Sequence, residues 1–460
     1  MSDAAGRVID KRLTRINYNV ADGLMESDSL WTRAKLSWQI SPSWRLRNEF
    51  SIYHADRHWR NAESLSFVAP DRLNRDQVDI AHDHKVWSER LDASHDGRIG
   101  GLKNRFIAGI ETTKTEFASQ RRFSDGSAST NAALQVSALN PSVGTFNANP
   151  ALATGGGNRT NITADISTTS VFAEDALKVS DSLTVVAGLR NDRIKLERSI
   201  ADLNTGGFAA FDQSYNANSL RLGTVFELSK ATALYAQYAN AASPVGGSNL
   251  LLQSAANSKF PLTRGKQLEA GLKQSLAGQR FDWTLALYKI EQSNVLSRDP
   301  ANPALTINNG RISSRGIELS ANWRATRELT LSGNVAALQA QFDSLIEAGN
   351  ISRVGNVPTN VPERSANLWA DYRFSGLPLA VGAGISHTGA MFTNNANTIR
   401  INSTTLADVY ASWRVKPALL TLRVRNLGDK LYATWSGASA ANQVVLGAPR
   451  TLELSAKFDF

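Results

Sequence analysis

No cysteine occurs in the 460 residues, so neither a disulfide framework nor a thiolate metal site can hold this chain together. Such a composition suits an envelope protein that meets an oxidising compartment. Long apolar runs are missing too. Nothing approaches the ~18 residues that a membrane-spanning helix requires, which excludes a helical membrane protein. A membrane barrel is not excluded, because only alternate residues of its strands meet lipid. Residues 1–6 (MSDAAG) have neither a basic nor an apolar stretch, so they do not form a secretory signal. The 50 Lys and Arg exceed the 41 Asp and Glu, for a formal net charge of +9. These bases are spread along the chain with no nucleic-acid motif beside them, so nucleic-acid binding is not expected. A Gly-x-Ser-x-Gly elbow, a phosphate loop and a paired-carboxylate setting are also lacking. Catalysis is therefore not expected, nor a resident cofactor.

What the chain has is alternation. Ile317, Leu319, Ala321 and Trp323 share one face of an extended segment, while Glu318, Ser320, Asn322 and Arg324 share the other. Leu420, Leu422 and Val424 oppose Thr421, Arg423 and Arg425 in the same way. Tight junctions fall near Pro42, Gly100, Asp181, Lys230, Gly278, Arg327, Gly376 and Pro417. Between them lie longer spacers, such as 56–83, 119–165, 240–264 and 429–448. An antiparallel meander with short turns on one rim and long loops on the other is the build of an outer-membrane barrel. Trp38, Trp44, Trp283, Trp323, Phe374 and Trp413 sit on the apolar face near tight turns, as a girdle at one membrane interface would. The expected fold is therefore an all-β, antiparallel transmembrane barrel over residues 30–460, with an N-terminal remnant over 1–29. Two rivals remain at this stage: a plug-less diffusion porin, and a soluble β-sandwich binding module whose apolar faces pack on each other.

Counting yields 17 strands, the first over 30–40 and the last over 451–460. Both run toward the short-turn rim, so antiparallel closure calls for an even number. The candidate for an eighteenth is 7–19.

Aromatic and basic residues where strands meet long loops suit an anionic ligand, through charge-assisted hydrogen bonds and cation–π contacts. Tyr53, Arg57, His58, Trp59 and Arg60 form one such group, and Arg121 and Arg122 another. An interface girdle and a lipopolysaccharide contact are the blander reading of the same residues. His82 and His84, with Asp79 and Asp83, have strand spacing that could ligate a metal, but a polar loop-to-strand junction accounts for them and no metal site is expected. Gly155 to Gly157 form a flexible linker.

The closing segment 451–460 places Leu452, Leu454, Ala456, Phe458 and Phe460 on one face and ends on an aromatic. It resembles the C-terminal signal read by the outer-membrane assembly machinery. KQLEAGLK (266–273), SRGIEL (314–319), VPERSANL (361–368), NLGDKLY (426–432) and GAPRT (447–451) resemble, in order, segments of the barrel of TonB-dependent receptors of the ferric-siderophore branch. The resemblance implies an outer-membrane protein of Gram-negative cells, a monomer, that takes up a ferric siderophore with energy from the TonB-ExbB-ExbD system. Iron would travel inside its chelate, so no protein ligand to the metal is implied. The resemblance does not extend to the family's plug or TonB-contacting box, and its barrels have about 22 strands. A shortened receptor is the expectation.

Overall fold

The computed structural model describes residues 10–124, 134–148, 159–243, 251, 254–276, 278–298, 306–347, 349–437 and 440–458. Seventeen long strands follow one another around a single sheet. The first six are β1 (Leu24–Gln39), β2 (Trp44–Ala69), β3 (Arg72–Ile99), β4 (Leu102–Ser124), β5 (Arg159–Lys178) and β6 (Leu183–Asp202). Next come β7 (Phe208–Ser229), β8 (Thr232–Ser243), β9 (Thr263–Leu276), β10 (Phe281–Arg298), β11 (Thr306–Arg324) and β12 (Leu329–Ser344). The last five are β13 (Arg364–Arg373), β14 (Leu379–Thr388), β15 (Thr404–Val415), β16 (Ala418–Arg425) and β17 (Thr451–Phe458). Each pairs antiparallel with the next, and the short strand Gln135–Ser137 extends β3. All eight tight junctions join alternate strand pairs and so lie on one rim. One continuous sheet also rules out the two packed sheets of a sandwich.

Directly opposed residues of paired strands share a face, so register carries the inside–outside assignment round the wall. Leu319 lies opposite Leu285 and Val335, and Leu422 opposite Ala411 and Leu454. These form the outer apolar face, where Leu422 is 45% and Leu454 78% exposed. Arg324, Arg423 and Lys457 fall on the inner face. There, bulky rings cover glycines on the neighbouring strand: Tyr235 over Gly271, Trp369 over Gly384 and Tyr410 over Gly382. A side chain added at any of these glycines would collide with the ring, so the pairs pin the register.

Two expectations fail, each for a physical reason. The spacer 56–83 is no loop: β2 and β3 stay paired from Asp56↔Asp83 up to Ala69↔Arg72 and turn in two residues. The rim opposite the short turns is tall here because the strands themselves project, at 26 and 28 residues against 8 in β16 and β17. Nor is 7–19 a strand, although residues 7–9 lie outside the described residues. Lys11–Leu13 form a turn of 3-10 helix capped by the Asp10 carboxylate. Leu13 and Tyr18 pack on Leu73, Val136 and Ala138, and the Arg75 guanidinium donates to the carbonyls of Tyr18 and Asn19. Side chains thus take the acceptors that a strand would offer its neighbour. The wall begins at Leu24 instead of at 30. Among the described residues β1 pairs only with β2 and β17 only with β16, and both run the same way, so the sheet is open at this seam.

Candidate functional site

On β6 the apolar parity changes partway up. Val185, Ala187 and Leu189 face outward, but above them the outward positions are Asn191, Arg193, Lys195 and Glu197. The inward positions change the opposite way, from Arg190 and Asp192 to Ile194 and a fully buried Leu196. β3, β4 and β5 invert as well, with Trp87, Ile110 and Val171 among the last large apolar groups outside. The outer apolar band stops there. Below the inversion the inner wall carries matched charges. Arg47 and Arg90 hold Asp92 at 2.8 and 3.1 Å, and Arg190 holds Asp192 and Glu111 at 2.8 and 3.4 Å.

Above the inversion the inner wall is different. Trp59 of β2 meets His82 of β3 edge-on at 4.8 Å, and His82 meets Phe117 of β4 at 4.8 Å. His84 lies 5.8 Å from both Tyr53 and Phe117. The Arg57 guanidinium donates to the Tyr53 hydroxyl at 2.7 Å. Burial, then the nearby Arg121 and Arg57, push the His82 imidazole down to about 4. Burial lowers His84 as well, with Arg57 adding to it. Both rings are therefore neutral around pH 7. One strand further round, Phe117 continues into a small inner core with Ala164, Leu196, Tyr215, Leu251 and Leu262. The helical turn Ala255–Ser258 docks here, the Tyr215 hydroxyl donating to the Ser258 carbonyl at 2.8 Å. Arg198, next to Leu196 on the same face, is buried at 6% exposure. Among the described residues its Nε and Nη1 have no hydrogen-bond partner, and the same holds for Ser119 Oγ and Thr160 Oγ1, which flank Arg121.

The sequence candidates divide accordingly. Tyr53, Arg57, Trp59 and Arg121 share this inner face. His58, Arg60 and Arg122 do not: strand parity turns them outward. His58 and Arg60 are bound to Asp79, both at 2.7 Å, and Arg60 also to Asp22 at 3.1 Å. Arg122 donates to Asn161 at 3.0 Å. The parity that separates them also splits the His82, His84, Asp79 and Asp83 set, with the imidazoles inside and both carboxylates outside. Outside, His54 lies 3.2 Å from Asp83 and 3.4 Å from Asp56, while Lys85 holds Asp83 at 2.8 Å. Phe117, Ser119, Thr160 and Arg198 were missed, and His82 was weighed only as a metal ligand; for Phe117 the cause is that the sequence reading took the polar face to be the inner one throughout. The change of parity along 183–202 was the signal for apolar groups inside, such as Leu196 and Phe117, and nothing in the spacing marked Ser119, Thr160 or Arg198. In β17, Leu454, Ala456 and Phe458 face outward together, whereas Phe460 lies outside the described residues, as do Gly155 to Gly157.

Comparison with known proteins gives concordant results. The family described as TonB dependent receptor-like, beta-barrel matches residues 4–427. The ferrioxamine receptor of Yersinia enterocolitica is 26% identical over 441 residues, covering 93% of this chain and 58% of that protein. A probable TonB-dependent siderophore receptor, PiuA of Acinetobacter baumannii, is 28% identical over 320 residues, or 65% of this chain and 42% of that protein. Among solved structures, the siderophore receptor PiuA from Acinetobacter baumannii superposes with a TM-score of 0.82 at 21% identity, over 96% of this chain and 66% of that one. The ferric-catecholate import receptor Fiu from E. coli K12 superposes at 0.79 and 18% identity, over 96% of this chain and 65% of that one. This chain thus spans about three fifths of the curated relative matched over most of its length.

Proposed function

The chain belongs to the TonB-dependent receptor-like β-barrel family, and from that premise we propose that it forms the wall of an outer-membrane receptor for a ferric siderophore. The family is one of receptors and transporters, not of enzymes. The observation that carries the reading is the inner-face group of Tyr53, Arg57, Trp59, His82 and Arg121, set above an outer apolar band and open to the lumen. Cationic and aromatic groups together hold an anionic chelate by charge and by ring contact, and they need no bond to the iron itself.

In this reading the iron is cargo within its chelate. The TonB-ExbB-ExbD system is the energy source and the barrel acts as a monomer. β17 is the segment read by the assembly machinery, and the outward bases Lys85, Lys114 and Arg193 meet lipopolysaccharide. Relatives named for ferrioxamine and for metal-pseudopaline support the substrate class and not a particular chelate.

The test is expression behind a signal sequence in a strain lacking its own siderophore receptors. The expected result is a heat-modifiable band in the outer-membrane fraction, protease cleavage from outside at the 70–71 turn, and ferric chelate bound above the vector control. Recovery in the soluble fraction, or binding equal to the control, refutes the reading.

A further inference from the structure

Toward the tall rim, the outer face carries different charges on its two sides. On β3, β4 and β6 the outward lysines are matched, with Lys85 on Asp83 at 2.8 Å, Lys114 on Glu116 at 2.5 Å and Lys195 on Glu197 at 2.5 Å. On β9 to β13 they are not. Register sends Lys266, Lys289, Arg315 and Arg364 outward, on the face that carries Leu285 and Leu319. The carboxylate among them, Glu291, lies on Lys289 at 2.7 Å and opposite Lys266. Among the described residues Arg315 donates to the neutral amide oxygen of Gln339, at 2.9 and 3.2 Å, and Arg364 has no ion pair. Lys289 and Arg315 face each other directly across β10 and β11, a like-charge pair that costs stability unless an anion lies over it. Arg364 is nine residues above Arg373, the short-turn end of β13. At ~3.4 Å per residue and ~40° of tilt that is about 23 Å, the upper edge of an apolar band about 25 Å tall.

Directly below this patch the same outer face is hollow. Ala321, Gly333 and Ala366 form the floor of a groove of about 460 Å3, with Leu319, Val335 and Leu368 as its walls. Ala366 is two residues below Arg364 on β13, and Leu319 four below Arg315 on β11. A cationic patch short of counter-ions, set over an apolar hollow, is the complement of an anionic head that carries hydrocarbon chains. We propose that this side of the wall seats one phosphorylated acyl lipid of the outer leaflet, of lipid A chemistry. A phosphate lies on Arg315 and Arg364, and an acyl chain runs along Ala366 and Gly333. The outer leaflet is its source because the bases lie at the end of the band away from the short turns. Guanidinium forks suit phosphate oxygens two at a time, which fixes the head above the groove. The proposal rests on the outer-membrane reading above and goes beyond the diffuse contact of outward bases stated there, since it assigns one side of the barrel and one lipid per chain. On β3 to β6 the carboxylates that hold the lysines repel a phosphate.

The test is native mass spectrometry of the full chain, refolded in detergent and titrated with diphosphoryl lipid A, with the same lipid stripped of its phosphates, or with phosphatidylglycerol. Heat modifiability establishes folding first. One diphosphoryl lipid A per chain should be retained, more tightly than either of the other lipids. Arg315→Gln with Arg364→Gln should weaken it about tenfold or more, and so should Ala366→Trp, which fills the groove. Arg364→Gln alone, the variant to use if the pair does not refold, should weaken it about threefold or more. Lys195→Gln and Ala187→Trp, on the outer face of β6, should stay within about twofold. Equal losses in those two show contact all round the barrel and overturn the site. Equal retention of the phosphate-free lipid overturns the role of the arginines, and parental affinity in Ala366→Trp overturns the acyl seat. Phosphatidylglycerol held as tightly overturns the choice of lipid, and retention of no lipid overturns the proposal whole. In each of these cases a heat-modifiable parent leaves the outer-membrane reading standing, whereas a parent without that band overturns both.

Discussion

The outer face of β16 offers the sharpest test that this wall meets hydrocarbon. Leu422 is 45% exposed and lies opposite Ala411 and Leu454, with Leu420 and Val424 on the same face. It is five residues beyond Pro417 of the tight turn. At ~3.4 Å per residue and a strand tilt of ~40°, that distance puts it about 13 Å above the rim. An apolar band is about 25 Å tall, so this is close to its middle. Arginine there should cost about 2–4 kcal/mol, which lowers the folding equilibrium constant by roughly 25- to 700-fold. Arg423, one residue on, faces inward; its side chain lies 6.0 Å from the Tyr410 ring and among the described residues its Nε has no hydrogen-bond partner. Glu453, opposite it, keeps Arg425 at 2.6 Å, so Arg423→Leu strands no carboxylate. Refolding each variant into vesicles along a urea series and scoring the heat-modifiable band compares the two directly. Leu422→Arg should shift the midpoint strongly and Arg423→Leu by little. Equal shifts, or a larger one for Arg423→Leu, would refute both the register and the lipid-facing assignment.

Three further outcomes are expected. Because the chain has no cysteine, the pair Leu422→Cys with Leu454→Cys, opposed across β16 and β17, should oxidise to a disulfide; Leu36→Cys with Leu454→Cys should not, and a bridge there would show the seam closed. Gly382→Ala should destabilise by about 1–3 kcal/mol because its methyl meets the Tyr410 ring, while Gly376→Ala, with open space around it, should stay within about 0.5 kcal/mol in the same urea series. The His82 imidazole is held at about 4 against an ordinary 6.5, so between those values the unfolded chain carries the extra proton. Its contribution to stability is therefore whole above pH 6.5 and declines as the pH falls toward 4; His82→Gln should flatten that part of the profile, and an unchanged slope would show that His82 is not the group responsible.

The barrel was legible because lipid imposes a period-two pattern on every strand that crosses it. Ile317 to Arg324 and Leu420 to Arg425 alternate without fault, and both keep that register in the sheet. The tall half of the wall was not legible for the same reason. Outside the hydrocarbon nothing requires the outer face to be apolar, so β6 carries Lys195 and Glu197 outside and Leu196 inside. A rule calibrated on the membrane band therefore reads such a stretch as irregular and takes it for loop. His58, Arg60 and Arg122 were grouped with Arg57 and Arg121 by closeness in sequence. A strand sends neighbours to opposite faces, so closeness in sequence was the wrong guide. Arg198 could not have been found from spacing, because its distinguishing property is the lack of a partner, which only the folded wall displays.

The seam follows from arithmetic that the strands themselves supply. In hydrocarbon every bare N–H or C=O along an edge costs several kcal/mol, so two unpaired edges the height of the band are untenable for an inserted sheet. β1 and β17 both run toward the short-turn rim. An insertion that keeps every neighbour antiparallel must therefore hold an odd number of strands. A second copy offers 17, which is odd, but it satisfies both edges only when inverted. Inversion would put its projecting β2–β3 hairpin on the short-turn side of the bilayer, with charged residues such as Arg60 and Asp79 carried across the hydrocarbon. An upright copy would meet each edge strand in parallel. Self-association is thus a poor remedy for the seam. Strands that close this wall have to come in odd number and with the same up–down sense as the relatives' barrels on which it superposes.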